Sequence, residues 1–309
     1  MSQLEDALRD LGINTVDDKS LKGRTTYKVG GDALCVLRIE SDQDLIALSE
    51  VTPQLGHEML VIGNGSNLLL ADGDLPFVVL VLGDNYKAVE IVDRCVEAGA
   101  SVSLPILSRQ VAAKGMTGLE WAVGVPGSVG GAVRMNAGGH GSQMADSLIE
   151  AKIFDLNSGK FMVRTIDDLG FDYRRSNILQ SEVVVSAKLS STGFDDPTIV
   201  KERLSEIVSW RRENQPGGQN AGSVFVNPPG DTAGRLIEAA GAKQMRIGGA
   251  EVSAKHANFI QADQGAKASD VISLMASVRD LVYSKYGVRL FTEIKLVGFS
   301  DTYGLPSGS

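Results

Sequence analysis

The 309-residue chain predicts an α+β fold. Two observations carry that expectation. Short runs rich in β-branched and apolar residues recur along the chain. Two of them, Glu150–Asp155 and Lys160–Thr165, flank Asn157-Ser158-Gly159, a hairpin signal that pairs neighbouring strands antiparallel. Helical periodicities lie among and after these runs, without the strict strand–helix alternation of a parallel sheet.

Taken in order, Leu4, Leu8 and Leu11 fall on one face of a helix over residues 3–11. Ala33–Ile39 reads as a buried strand. Ser41 reads as the N-cap of a helix through Val51, with Asp44 near its positive end. Met59–Ile62 is a strand that runs into Gly63-Asn64-Gly65-Ser66-Asn67. Phe77–Leu82 and Lys87–Val92 are further strands, and Ser108–Lys114 is a short helix. After the hairpin, Glu182–Leu189 is a strand, and Asp195-Asp196-Pro197 opens a helix through Arg212. Gln215-Pro216-Gly217-Gly218 breaks that helix and marks the best domain boundary. Helices near 232–240 and 268–286 and strands near 256–261 and 288–297 follow, and the segment after Asp301 reads as a loose tail.

The composition, 43% hydrophobic and 22% charged, is that of a globular protein with room for two or three domains. A net charge of −8 argues against a general nucleic-acid or membrane-surface binder. Cys35 and Cys95 sit in apolar contexts and form no C-x-x-C pair, and His57, His140 and His256 are far apart. Neither a zinc site nor a disulfide framework is expected. The start, Met1-Ser2-Gln3-Leu4-Glu5-Asp6, is acidic and lacks a signal-peptide core, and Phe77–Leu82 is too short to cross a bilayer. The expected location is the cytoplasm.

The most informative stretch is Gly118–Gly139, with seven glycines in 22 residues yet no low-complexity character. Glycine permits positive φ and close backbone approach. The stretch therefore suggests backbone wrapped around something flat or anionic, or else a set of tight turns between short buried strands. Upstream, Gly63-Asn64-Gly65-Ser66-Asn67 could present consecutive N–H groups to an anion. It fails the dinucleotide fingerprint at Leu68 and is not a P-loop.

Further segments complete an ordered series: Thr25-Thr26-Tyr27-Lys28-Val29-Gly30-Gly31, Phe171-Asp172-Tyr173-Arg174-Arg175-Ser176, Ala221-Gly222-Ser223-Val224-Phe225-Val226-Asn227-Pro228, Ala233–Gly241, Lys255-His256-Ala257-Asn258-Phe259-Ile260 and Leu290-Phe291-Thr292-Glu293-Ile294. With the two glycine-rich loops, this series resembles the UDP-N-acetylenolpyruvoylglucosamine reductases, flavoproteins of the wider vanillyl-alcohol-oxidase/PCMH type. The matches run from about residue 21 to 299. The resemblance implies a two-part FAD-binding domain (residues 1–85 and 86–200), a smaller α+β substrate-binding domain (201–299) and a tail (300–309). The distance from Ser223 to Glu293 fits the shorter type of the family, without the inserted tyrosine loop.

The activity it implies is reduction of an enolpyruvyl ether on UDP-N-acetylglucosamine to UDP-N-acetylmuramate, with NADPH reducing the FAD first. Hydride delivery leaves negative charge beside a carboxylate, so the chemistry needs a cation, a proton donor and a polar group at the enolate. The resemblance assigns these to Arg174, Ser223 and Glu293. FAD, held without a covalent bond, would be cradled by Gly63, Asn64, Gly65, Ser66 and Asn67, by Pro126, Gly127, Ser128, Gly130 and Gly131, and by Asn136 and Ala137. Tyr173, Arg174, Arg212, Asn227 and His256 would bind the nucleotide sugar. No metal is expected, and the chain would be a monomer or weak dimer. Val226, Thr292 and Ala262 depart from the family pattern where a basic residue, Pro and Asn are common. Another FAD-dependent oxidoreductase of the same fold is the alternative reading; a rival from another class, a non-catalytic nucleotide-sugar sensor, should lack at least one of Arg174, Ser223 and Glu293, and this chain has all three.

Overall fold

The computed structural model describes residues 8–9, 12–300 and 303–305. The helix expected over 3–11 and the tail after Asp301 lie largely outside the described residues. The chain divides into two compact units. The first holds the described residues up to Lys19, Ala33–Asn64 and Pro76–Trp210; the second holds Ser20–Asp32, Gly65–Leu75 and the chain from Arg211 onward.

The first unit contains two large sheets and two small two-stranded ones. A four-stranded sheet has the order Asn14–Val16, Asp32–Ile39, Asp74–Leu82, Glu58–Val61. Its last pair is parallel, with Glu58 opposite Phe77. The helix that follows Ile39 starts where expected, because Ser41 and Asp44 form a capping box: Asp44 N–H donates to Ser41 Oγ at 3.2 Å and Ser41 N–H to Asp44 Oδ2 at 3.1 Å. It runs four residues past Val51, to Leu55, and stops at Gly56 in the left-handed region. The second sheet is five-stranded and antiparallel, in the order Lys160–Thr165, Leu148–Asp155, Glu182–Ser190, Cys95–Gly99, Val89–Val92. Asp155 opposite Lys160 is the expected hairpin.

Alternate residues of these strands, among them Val96, Ala98, Ala151, Ile153, Val183, Val185 and Leu189, are buried in one core with Leu104, Leu107, Val129 and Val133. The helices supplying the last four correct the sequence reading. Leu104–Ala112 begins a turn before Ser108, since Pro105 is tolerated in a first turn where its missing N–H is not needed. Val129–Met135 is a helix inside the glycine-rich stretch, and it packs on Glu182–Ser190. Buried Ser128 caps it, accepting from Gly131 N–H at 3.3 Å, and Asn136 closes it at φ 41°.

The second unit has its own core. Helix Ala268–Tyr286 turns Val271, Leu274, Met275, Val278 and Val282 inward, against Ala233, Leu236 and Ile237 of helix Ala233–Ala239. The small sheet Arg246–Ile247, Ala250–Val252, Ile260–Ala262 lies with them. The strand expected over 256–261 shrinks to Ile260–Ala262, and that over 288–297 to Lys295–Val297, which runs parallel to Leu68–Leu70. Asp72 accepts from Ala268 and Ser269 N–H, both at 2.9 Å. Burial alone would raise the Asp72 pKa, but these donors outweigh it and hold the carboxyl below its usual range.

The pair Gly30-Gly31 is explained by backbone contact within this unit. Gly31 N–H donates to Ala71 C=O at 2.7 Å, and a Cβ on Gly31 would stand 1.7 Å from the Gly73 carbonyl oxygen. Neither backbone can yield without breaking that bond. Gly31→Ala should therefore lower stability by about 3 kcal/mol or more, read by urea denaturation; a loss under about 1 kcal/mol would mean that the two segments separate freely.

Candidate functional site

The stretch 118–139 folds as turns and short helices, with its backbone in close contacts. Glu120–Gly124 is a 3-10 turn with Trp121 buried. Gly127 C=O accepts from Leu104 N–H, Val129 N–H donates to Val102 C=O and Gly130 N–H to Ala100 C=O, all between 2.8 and 2.9 Å. These bonds fix the Pro126–Gly131 backbone beside a cavity of about 250 Å³ whose lining includes Gly63, Asn64, Ser128, Gly130 and Gly131. A Cβ on Gly63 would lie 2.3 Å from Ser128 Oγ, so the two loops approach as only glycine permits. The cavity is smaller than the roughly 300–1,000 Å³ of sites that enclose a whole drug-sized ligand. It fits part of a dinucleotide, and the glycines let backbone reach that part directly.

The loop Gly63–Asn67 is shared between the units: Gly63 and Asn64 belong to the first, Gly65, Ser66 and Asn67 to the second. Gly65 is pressed against the Thr25–Tyr27 segment: a Cβ there would stand 2.1 Å from Arg24 C=O, and Thr26 N–H donates to Gly65 C=O at 3.2 Å. Tyr27 itself lies wholly inside the second core, where burial pushes its phenol pKa up.

Arg174 occupies a turn in the first unit. Asp172 and Arg175 exchange both backbone hydrogen bonds, at 3.0 and 3.2 Å, which leaves Tyr173 and Arg174 as the two central residues. Arg174 has φ 53°, the left-handed conformation that such a turn requires at its second central residue and that glycine usually fills. A non-glycine residue there costs about 1–2 kcal/mol, so the surroundings must impose it. Asn136 Nδ2 donates to Asp172 C=O at 3.0 Å, Arg174 Nη2 to Gly138 C=O at 2.9 Å, and Ser176 Oγ to Arg134 C=O at 2.7 Å. The guanidinium also lies 4.9 Å from the Tyr173 ring centre.

Asn136 is buried, and its amide serves the protein: besides Asp172 it donates to Gln143 Oε1 at 3.1 Å and accepts from Ala145 N–H at 3.0 Å. Ala137 pairs with Ala132 and Met144 through its backbone. Next to them, Gly139 opposite Ser142 leaves His140 and Gly141 as a two-residue hairpin turn, both at positive φ. The His140 ring meets Trp210 edge-on at 5.2 Å.

In the second unit, the segments that carry Ser223 and Glu293 are hydrogen-bonded to each other. Glu293 N–H donates to Val224 C=O at 2.9 Å, and Val226 N–H to Phe291 C=O at 2.9 Å. Thr292 and Ile294 are buried while Phe291 and Glu293 are not, a strand-like alternation, although between these segments only an isolated bridge, Phe225 to Thr292, is formed. Asn67 Nδ2 donates to Glu293 C=O at 3.2 Å, tying the loop to the glutamate.

The other side of the serine segment is held by Asn258, which the sequence reading did not single out. Its Oδ1 accepts from Phe225 N–H at 3.0 Å, its Nδ2 donates to Phe225 C=O at 2.8 Å, and its own C=O accepts from Val224 N–H at 2.8 Å. One buried amide thus does the job of a missing strand. Its sequence signal is an amide inside the apolar run Ala257-Asn258-Phe259-Ile260, since a buried polar group must be paired.

Of the remaining candidates, Asn227 Oδ1 accepts from Ala233 N–H at 3.0 Å, at the start of helix Ala233–Ala239. His256 is half-buried over Gly234, with Nδ1 accepting from Asn258 N–H at 3.2 Å. Burial lowers its pKa from 6.5, which keeps the imidazole neutral with its proton on Nε2. Arg212 is exposed, and its carbonyl accepts from Lys255 Nζ at 2.8 Å. Among the described residues no group of three His, Cys, Asp or Glu could hold a metal, and no helix is long and apolar enough to cross a membrane.

Residues 33–163 match the family described as FAD binding domain, and residues 214–297 the family described as UDP-N-acetylenolpyruvoylglucosamine reductase, C-terminal domain. A UDP-N-acetylenolpyruvoylglucosamine reductase of Rubrobacter xylanophilus is 38% identical over 91% of this chain and 94% of its own length. One from Synechococcus sp. is 40% identical over 93% and 95%. The crystal structure of the Thermus caldophilus enzyme of that name superposes with a TM-score of 0.80 at 33% identity, covering 92% of this chain and 98% of that one.

Asn258→Ala would leave the Phe225 N–H and C=O without their partner. A loss of about 2–4 kcal/mol in urea denaturation is expected; a loss below about 0.5 kcal/mol would mean that water replaces the amide and that Asn258 does not hold the serine segment.

Proposed function

The chain belongs to the UDP-N-acetylenolpyruvoylglucosamine reductase family, and from that premise we propose how its own residues perform the reaction. It is an FAD-dependent NADPH oxidoreductase that reduces the enolpyruvyl ether of UDP-N-acetylglucosamine to UDP-N-acetylmuramate, a peptidoglycan precursor. The near-full-length match to reductases of that activity favours this substrate over any other for a flavoenzyme of the same fold.

The observation that carries the mechanism is the Glu293 N–H to Val224 C=O bond, which supports placing Ser223 and Glu293 at one substrate. FAD, held by the backbone of the glycine-rich loops, would supply, once reduced by NADPH, the hydride that the vinyl carbon needs. The chain's own residues deal with what that leaves: an electron pair on the carbon next to the carboxylate. Arg174 pairs with the carboxylate through its planar fork and offsets the charge as it spreads. Glu293 polarises the enol. Ser223 Oγ gives its proton to the carbon, and the serine oxygen regains one from solvent. A hydroxyl is a poor acid in water, but against a carbanion-like centre in a desolvated site it is strong enough. Ser223 is half-buried, and among the described residues its hydroxyl has no hydrogen-bond partner, which leaves it available.

Tyr173, Asn227, Arg212 and His256 take the nucleotide sugar. As a neutral imidazole His256 donates from Nε2 rather than acting as a cation. Gly63–Asn67, Pro126–Ser128, Gly130 and Gly131 cradle the cofactor by backbone, while Asn136 and Ala137 fix the shape of the adjoining hairpin. The protein works in the cytoplasm as a monomer or weak dimer.

Purified protein should be yellow and should sustain NADPH oxidation beyond one flavin equivalent only when the enolpyruvyl substrate is present. Ser223→Ala should retain rapid flavin reduction by NADPH while the substrate half-reaction slows by about 10²–10⁴-fold; equal losses in both half-reactions would remove Ser223 as proton donor. Arg174→Lys should slow the substrate half-reaction about 10²-fold, because a point charge does not replace a planar fork; near-normal turnover in stopped flow would refute that role.

A further inference from the structure

The cavity beside Gly130 and Gly131 has one more lining residue whose chemistry is unaccounted for, Arg134. It sits three and four positions after the two glycines on the helix Val129–Met135, and so on their face of it. All three residues line the same cavity.

Gly131 is not required by packing. A Cβ there would meet only Ser128 Oγ, at 3.4 Å, an ordinary contact. A helical glycine costs about 0.5–1 kcal/mol relative to alanine, so an unforced one needs a reason on its open side, and that side is the cavity.

The charges around the cavity point the same way. Arg38 is paired with Glu40 and Asp84, and Lys87 with Asp84. Glu182, the carboxylate nearest Arg134, is buried and paired with Arg164. Arg134 spends a single nitrogen on the protein: Nη1 donates to the carbonyls of Leu179 at 3.0 Å and Glu182 at 3.4 Å. Its Nε and Nη2 have no acceptor among the described residues. A half-buried cation that lines a cavity with two glycines and keeps two donors unused by the protein is matched to a phosphate oxygen.

We propose that Arg134 binds a phosphate oxygen of the diphosphate of FAD through Nε and Nη2. This rests on the FAD-dependent reading above and adds a side-chain cation to what is otherwise a backbone cradle. It follows that Arg134 discriminates phosphate-bearing flavins from riboflavin.

The test is equilibrium binding of FAD and of riboflavin to the cofactor-stripped full chain, followed by fluorescence at several NaCl concentrations. Arg134→Gln should raise the FAD Kd about 10–100-fold, flatten its salt dependence and leave riboflavin binding unchanged. Arg134→Lys, which keeps the charge, should recover part of the FAD affinity and the salt dependence. An unchanged FAD Kd in Arg134→Gln overturns the proposal while leaving the FAD reading intact. Equal losses for FAD and riboflavin would show that Arg134 only supports the Leu179 and Glu182 carbonyls, and would also overturn it. Wild-type protein that binds no FAD would instead remove the functional reading itself. Thermal unfolding of each stripped variant identifies one that has not folded, in which case the salt dependence of wild-type FAD binding decides: a flat dependence overturns the proposal.

Discussion

The second unit depends on one constraint: the segment Ser223–Val226 belongs to no sheet, yet its backbone groups are buried and must be paired. Asn258 satisfies Phe225 with its amide and Val224 with its carbonyl. The chain at Phe291–Glu293 satisfies Val224 and Val226 from the other side. Unpaired, each of these groups would cost about 1–3 kcal/mol. The pairing therefore fixes where Ser223 and Glu293 stand relative to each other with the rigidity of a ladder, although the secondary structure there amounts to a single bridge. Asn67 extends the same network, because its amide binds the Glu293 carbonyl while Lys295–Val297 runs beside Leu68–Leu70.

In the first unit the corresponding device is local strain held by buried amides and carbonyls. Asn136, His140 and Arg174 are all non-glycine residues at positive φ, within two linked loops. The Asn136 side chain bonds both to Gln143, next to the His140 hairpin, and to Asp172, beside Arg174. Such conformations persist only where surrounding contacts over-determine them. Here those contacts aim a guanidinium, which explains why a motif built on Tyr173-Arg174 also needs Ser176: its hydroxyl anchors the turn to the Arg134 carbonyl.

The glycine-rich loops proposed to cradle the cofactor differ glycine by glycine. Gly63 and Gly130 are forced by close approach of other chain segments, to Ser128 and Ala100. Gly131 is not, and it lines the cavity. Reading every glycine of the stretch as equally demanded would have hidden the difference.

Much of the fold was legible because local chemistry and final structure agree. The Ser41–Asp44 capping box, the Asn157–Gly159 hairpin and the helix over 268–286 need nothing beyond their own residues and a core to face. The three residues assigned to catalysis stood out through their ordered motifs, not through periodicity. What the sequence left out depends on partners distant in the chain. The glycine-rich stretch does not announce its helix Val129–Met135, since glycine is a poor helix former and the segment is stabilised by packing on Glu182–Ser190. The strand expected over 288–297 forms a ladder at its end, beside Leu68–Leu70, whereas Thr292 meets the serine segment in an isolated bridge. Asn258 lies 33 residues from Phe225 and Asn67 lies 226 from Glu293. The amino-acid sequence by itself supplied the ordered motifs on which the proposed catalytic side chains rest; the tertiary structure alone decided which backbone groups pair to hold those segments, because burial makes pairing obligatory without specifying the partner.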